Sequence, residues 1–112
     1  MIHERVPARR LTIYCSETSK HQGKPLFDWL IHQALKREMR GATAFKAISG
    51  FGQHHHLHHA HLIDLSCELP VVVEIIDTLD RIEAYLETVA EALDQHTYIL
   101  EEVICHVPRA RS

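Results

Sequence analysis

The apolar and polar positions of this 112-residue chain change period several times, and each change marks an element. Leu11-Thr12-Ile13-Tyr14-Cys15 alternates apolar with more polar side chains and is rich in β-branched and aromatic residues, the period-2 pattern of a strand. After the polar stretch Ser16 to Lys24, Pro25 suits the first turn of a helix, where its missing N–H is not needed. Leu26, Trp29, Leu30, Ala34 and Leu35 then recur at three- and four-residue spacing. Lys36 and Arg37 sit where the helix dipole favours cations, and Gly41 is expected to terminate the helix. A weaker strand is predicted over Ala42 to Ile48, carried by Phe45 and Ile48. Pro70 precedes the run Val71-Val72-Val73-Glu74-Ile75-Ile76, which predicts a central strand apolar on both faces. Asp77 and Thr78 can each cap a second helix, in which Leu79, Ile82, Tyr85, Leu86, Val89 and Leu93 return to helical spacing. Thr97-Tyr98-Ile99-Leu100 with Val103, Ile104 and Val107 predicts a last strand, closed by Pro108 and a charged tail.

The predicted order is β-α-β-β-α-β. It corresponds to a ferredoxin-like α+β fold, with two helices on one face of a four-stranded antiparallel sheet. One domain is expected over residues 1–112, its core at about 10–107, because the chain is long enough for one hydrophobic core and too short for two. Since residues 71–76 are apolar on both faces, the sheet face without helices is expected to pack against further subunits. Between the second and third strands, Gly50-Phe51-Gly52 breaks the pattern, and about residues 50–69 form a long excursion with no clean period. Excursions of that length in a compact domain usually carry function.

Composition narrows the function classes. No run approaches the roughly 18 apolar residues of a membrane span, and the charged first ten residues lack a signal-peptide core, so a cytoplasmic protein not embedded in a membrane is expected. The net charge of −3 provides no basic footprint for nucleic acid, although 11 histidines make the charge strongly pH-dependent. Three cysteines, Cys15, Cys67 and Cys105, are too few and too unevenly placed for a disulfide framework and read as buried thiols; even if Cys15 and Cys105 face each other on adjacent strands, they are expected to stay reduced. Glu74, Glu101 and Glu102 read as strand-edge carboxylates, and no Ser, Cys or Lys stands in a nucleophile motif, so the chain is not expected to be an enzyme.

The densest chemical signal is six imidazoles within eight residues, His54, His55, His56, His58, His59 and His61, with Asp64 and Cys67 as further donors. Neutral imidazole binds zinc, nickel and copper. In a helix His54 and His58, or His55 and His59, share a face; in a strand His54, His56 and His58 do. A pH-responsive loop and a polar loop with no metal role are the other readings. His21, His32 and His96 are scattered and read as surface or core residues.

Four segments taken together resemble a known family: Leu11-Thr12-Ile13-Tyr14, Gly23-Lys24-Pro25-Leu26, Gly50-Phe51-Gly52, and Leu69-Pro70-Val71-Val72-Val73-Glu74-Ile75-Ile76-Asp77. Their order and spacing over roughly residues 11–107 are similar to the PII-like proteins of domain of unknown function 190, and more distantly to the PII nitrogen-regulatory proteins. The resemblance implies a homotrimeric signalling protein. It implies effectors, typically adenine nucleotides, in clefts between subunits, and a T-loop, here residues 53–68, that engages a membrane transporter or an enzyme. Gly50, Phe51, Gly52 and Gln53 then stand at the T-loop base as the ligand-binding residues, glycine letting main-chain N–H groups approach a phosphate closely. Two features depart from the PII pattern. The connection before the last strand, Asp94-Gln95-His96, has no glycine, and Cys105 and Val107 fall about where PII carries arginines, so a PII-type ATP cradle is not carried over. The alternative is a divalent-metal-binding protein using the histidine-rich loop, similar in fold to the trimeric CutA cation-tolerance proteins.

Overall fold

The computed structural model describes residues 2–51, 58–59 and 69–109. Four main strands, β1 (His3–Ser16), β2 (Gly41–Lys46), β3 (Pro70–Asp77) and β4 (Tyr98–Pro108), alternate with helices α1 (Leu26–Lys36) and α2 (Leu79–Val89) in the predicted order. The sheet runs β2-β3-β1-β4, with every neighbouring pair antiparallel. This is the ferredoxin-like α+β arrangement.

Strand alternation decides what each face carries. Leu11, Ile13, Val73 and Ile75 point to the helix-covered side. There they form the core with Leu26, Leu30 and Ala34 of α1 and with Ile82, Tyr85, Val89 and Leu93. The opposite parity faces away from the helices. Register places Phe45, Val72 and Tyr14 in one row across that face, then Thr43, Glu74, Thr12 and Ile99, then Gly41, Ile76, Arg10 and Glu101. Phe45, Tyr14 and Ile99 are exposed there. The third row is held by a two-pronged contact from Arg10 to Glu101, at 3.1 and 3.2 Å. Glu101 and, more weakly, Glu74 raise the pKa of the Arg10 guanidinium.

β1 begins eight residues before its apolar alternation does. From His3 to Ala8 it pairs only with β4, His3 opposite Pro108 and Ala8 opposite Val103, while its pairing with β3 begins at Arg9. The result is a two-stranded arm with no covering helix, so selection for alternation is weak, and its free edge accommodates Pro7. At the root of the arm, Arg9 pairs with Glu102 at 3.3 Å. Cys15 and Cys105 do not face each other. Cys15 lies opposite Val71 at one end of β1, and Cys105 lies opposite Val6 near the other, on opposite faces of the sheet. Burial pushes the Cys15 thiol up to about 11.

Both ends of α1 differ from the pattern-based reading. Pro25 is the N-cap residue (φ −56°, ψ 129°) rather than the first helical one, and it is the last residue of a small hairpin, Lys20–His21 against Lys24–Pro25. The two-residue turn of that hairpin has positive φ at both positions, Gln22 (53°) and Gly23 (78°), as its handedness requires. At the C-terminus the residue that stops α1 is Glu38, not Gly41. Glu38 is left-handed (φ 53°), its N–H bonds Leu35 O at 3.0 Å, and the N–H of Met39 bonds Ala34 O at 3.0 Å. These two bonds are the Schellman pair, in which glycine is the usual left-handed residue. Glu38→Gly is therefore expected to stabilise the protein by about 0.5–1 kcal/mol, the relief of a left-handed side chain less the entropy glycine returns to the unfolded chain. Urea unfolding measures it; a destabilised variant would show that the Glu38 side chain contributes more than its backbone costs.

Asp77 closes this corner. Its buried carboxylate accepts from the N–H of Arg40 (2.9 Å), the N–H of Thr78 (2.7 Å) and Nε of Arg81 (2.9 Å). Arg81 also donates to the carbonyls of Arg37 and Glu38. The α1–β2 connection is thus tied to the start of α2. Among the described residues no helix is long and apolar enough to cross a membrane.

Candidate functional site

The excursion leaves the sheet at Lys46 and returns at Leu69, so its base lies where β2 ends, β3 begins and β1 finishes. Antiparallel pairing puts Lys46 opposite Val71, and Val71 opposite Cys15. The chain is then stitched beyond the strands: Ala47 N–H donates to Pro70 O at 2.9 Å, and Ser49 and Gly50 pair with His59 and His58 as a two-residue ribbon. A Cβ on Gly50 would meet Cγ of Pro70 at 3.4 Å, an ordinary van der Waals contact, so the outgoing chain lies beside the returning one. Ile48 and Phe51 stand 82% and 61% exposed on either side of it, leaving an apolar rim beside a glycine.

Glu17, the residue after β1, bridges both limbs of the base. Its carboxylate forms an ion pair with Nζ of Lys46 and accepts the Leu69 N–H at 3.3 Å, while its own N–H donates to Leu69 O at 3.0 Å. The hydrogen bond from Lys46 holds the Glu17 carboxyl below the usual carboxylate range; partial desolvation opposes it, and the Leu69 N–H adds to it. Ser16, Thr18 and Ser19 flank Glu17 in one turn. The Ser16 hydroxyl lies 3.2 Å from those of Thr18 and Ser19, and the Ser19 carbonyl accepts the N–H of Leu26 at 2.8 Å, fixing the turn to the start of α1. His96, in the α2–β4 connection, places Nε2 3.4 Å from the Ser19 hydroxyl. Desolvation lowers its pKa, favouring the neutral imidazole, and among the described residues its buried Nδ1 has no hydrogen-bond partner.

Of the residues expected to bind ligand, Gly50 and Phe51 lie at this base; Gly52 and Gln53 fall outside the described residues. Of the histidine cluster, His54, His55, His56 and His61 also fall outside them, with Asp64 and Cys67, and only the strand pairing of His58 and His59 is described. Among the described residues no three His, Cys, Asp or Glu side chains gather as a metal-holding group. Glu74, Glu101 and Glu102 are not poised as an acid–base pair, since Glu101 and Glu102 face Arg10 and Arg9. Glu17 and Lys46 escaped the sequence reading. They are far apart in the chain, and only the β1–β3–β2 register brings the two strand ends together.

This architecture, a split β-α-β sheet with a long excursion between its second and third strands, is that of PII-like proteins. CPII from Thiomonas intermedia K12, solved bound to ADP and bicarbonate, superposes with a TM-score of 0.62 at 17% identity, over 95% of this chain and 93% of that one. A PII-like signaling protein from Thermus thermophilus superposes with a TM-score of 0.59 at 17% identity, over 94% and 93% of the two chains. At that identity the likeness is one of fold. Sequence is more specific. Residues 8–105 match the model of DUF190, described as "Uncharacterized ACR, COG1993", and the chain belongs to that family. A UPF0166 protein of Aquifex aeolicus is 39% identical over 84 residues, 75% of this chain and 80% of its relative. The UPF0166 protein MJ1524 of Methanocaldococcus jannaschii is 31% identical over 103 residues, 91% and 93% of the two chains.

Proposed function

We propose that this protein is a PII-like regulatory subunit that binds an anionic, adenine-nucleotide-like effector at the base of the excursion and acts by binding rather than by catalysis. One observation carries the reading: at the base of the excursion the exposed apolar Ile48 and Phe51 flank Gly50, and Lys46, four residues earlier in the chain, keeps its side chain 59% exposed. An apolar rim suits the face of a purine, and a cation in the same short segment as a glycine suits phosphate. The fold is shared with a protein solved with ADP and bicarbonate bound. On this reading the helix-free sheet face, with its Phe45–Val72–Tyr14 row, packs against further copies in a homotrimer, so that effector clefts lie between subunits. Residues 53–68 then present effector occupancy to a partner, a transporter or an enzyme, in the cytoplasm.

A thermal-shift panel of ADP, AMP and ATP against zinc, nickel and copper tests it, because a ligand that binds only the folded state raises the melting temperature by mass action. The expected result is a shift on the order of 10 °C with an adenine nucleotide at about 100 times its Kd, equivalent to about 2.7 kcal/mol, and loss of that shift in Gly50→Asp. No nucleotide shift, together with a zinc or nickel shift abolished in the His55→Ala, His58→Ala, His59→Ala triple variant, would replace the reading with a metal-binding loop.

A further inference from the structure

Lys46 is the cation at the base of the excursion whose partner is supplied from outside its own strand pair. That partner, Glu17, is not a free surface carboxylate. Two main-chain hydrogen bonds with Leu69 hold it in place, one from its own N–H and one to its carboxylate. The ammonium side is different: the Lys46 side chain is 59% exposed, against 30% for Glu17. The anion of the pair is thus fixed by the fold, and the cation is the half that solvent and solutes can reach. Around them stand neutral donors, the hydroxyls of Ser16, Thr18 and Ser19, and on the β2 side the apolar Ile48 and Phe51. In contrast, Arg9 and Arg10 face glutamates across paired strands, far along the sheet from the base.

We propose that Lys46 is an anion-binding residue of the effector site and that Glu17 is an internal surrogate for the effector, occupying Lys46 until a phosphate or carboxylate of the ligand takes it. This rests on the reading of the base as the effector site and adds the residue that holds the charge and the one that competes for it. The physical logic is exchange. A solvent-exposed ion pair contributes little net stability, so replacing one carboxylate with another oxyanion is nearly balanced, and contacts elsewhere on the ligand decide the outcome. The swap has a structural consequence. A Glu17 carboxylate without Lys46 has lost its largest stabilising contact. A ligand anion nearby repels it, so its acceptor bond from Leu69, the residue where the chain re-enters the sheet, weakens with effector binding. Occupancy of Lys46 and the anchorage of Leu69 are thereby coupled through one side chain.

Calorimetric titration of ADP into the full chain tests this with Glu17→Gln, Lys46→Gln and Lys46→Arg. Glutamine at 17 keeps an amide oxygen for the Leu69 N–H and removes only the competing charge, so Glu17→Gln is expected to bind ADP about 3- to 10-fold more tightly. Lys46→Gln should weaken binding by at least about 10-fold, and Lys46→Arg should stay within about 3-fold of the parent. In the parent protein ADP should also speed hydrogen exchange at the Leu69 amide, an effect absent in Glu17→Gln. ADP affinity that is unchanged in both Glu17→Gln and Lys46→Gln, or weakened in Glu17→Gln, would overturn the exchange while leaving the effector reading standing. No ADP binding by the folded parent and by Glu17→Gln would overturn both.

Discussion

Asp77→Ala is expected to lower the stability of the fold by about 3 kcal/mol, because three donors lose one buried acceptor and each unsatisfied buried group costs about 1–3 kcal/mol, less whatever water recovers. The side chain of Asp77 is only 5% exposed, whereas that of Arg81 is 47% exposed, so the arginine left behind can return to water and the loss stays below that of a fully buried pair. Asp77→Asn separates charge from shape. Burial raises the carboxyl pKa, but the N–H groups of Arg40 and Thr78 and the guanidinium of Arg81 together outweigh it, and the net shift is downward. A carboxylate with a depressed folded-state pKa stabilises fully above its unfolded value, about 3.9, and its contribution disappears as pH falls through the lower folded value. The gap between the parent protein and Asp77→Asn should therefore be widest near neutral pH and narrow below about pH 4. Glu17 and Glu101 are also held below the usual carboxylate range, but they titrate in both proteins and cancel in the difference. Urea unfolding of both proteins between about pH 7 and pH 3 measures it, and a gap independent of pH would mean that geometry, not charge, carries the contribution of Asp77.

Tyr85→Ala should cost more, about 4 kcal/mol, with a fall in melting temperature on the order of 20 °C for a domain of this size. The ring is fully buried in the core between helices and sheet, and its hydroxyl donates to Leu30 O of α1 at 2.8 Å, joining the two helices. Burial pushes the phenol pKa up, so it stays protonated and a donor across the ordinary range. Tyr85→Phe retains the packing and removes only that bond, with an expected loss of about 1 kcal/mol. Thermal unfolding of the two variants apportions the effect; a phenylalanine variant falling as far as the alanine one would place the energy in the hydroxyl instead of the ring.

Both residues lie in the scaffold, and both were half legible from the chain alone. Tyr85 fell on the helical period with Ile82 and Val89, so its burial followed from spacing, but its bond to Leu30 depends on how two helices cross the sheet. Asp77 was readable as a cap candidate beside Thr78. Thr78 takes the N-cap position without a side-chain hydrogen bond, and Asp77 instead collects donors from positions 40, 78 and 81. At the base of the excursion the same division holds. Gly50 and Phe51 announced themselves by breaking the strand pattern, whereas Lys46 and Glu17 are ordinary charged residues at two strand ends until the sheet brings those ends together.

The 2.0- and 3.6-residue periods are local properties, written in side chains a few positions apart, and they were enough to determine the order of elements, the core faces of α1, α2 and β1, and the ferredoxin-like layering. What depends on distant partners was left to the tertiary structure. β1 runs back to His3 because β4 pairs with it there, although no alternation marks the arm. α1 stops at Glu38 because main-chain bonds to Ala34 and Leu35 tolerate a left-handed glutamate. Cys15 and Cys105 are separated because register sets them opposite Val71 and Val6. Glu17 reaches both limbs of the excursion because β3 lies between β1 and β2. In each case the deciding quantity is strand register or main-chain pairing, which no window of neighbouring residues contains.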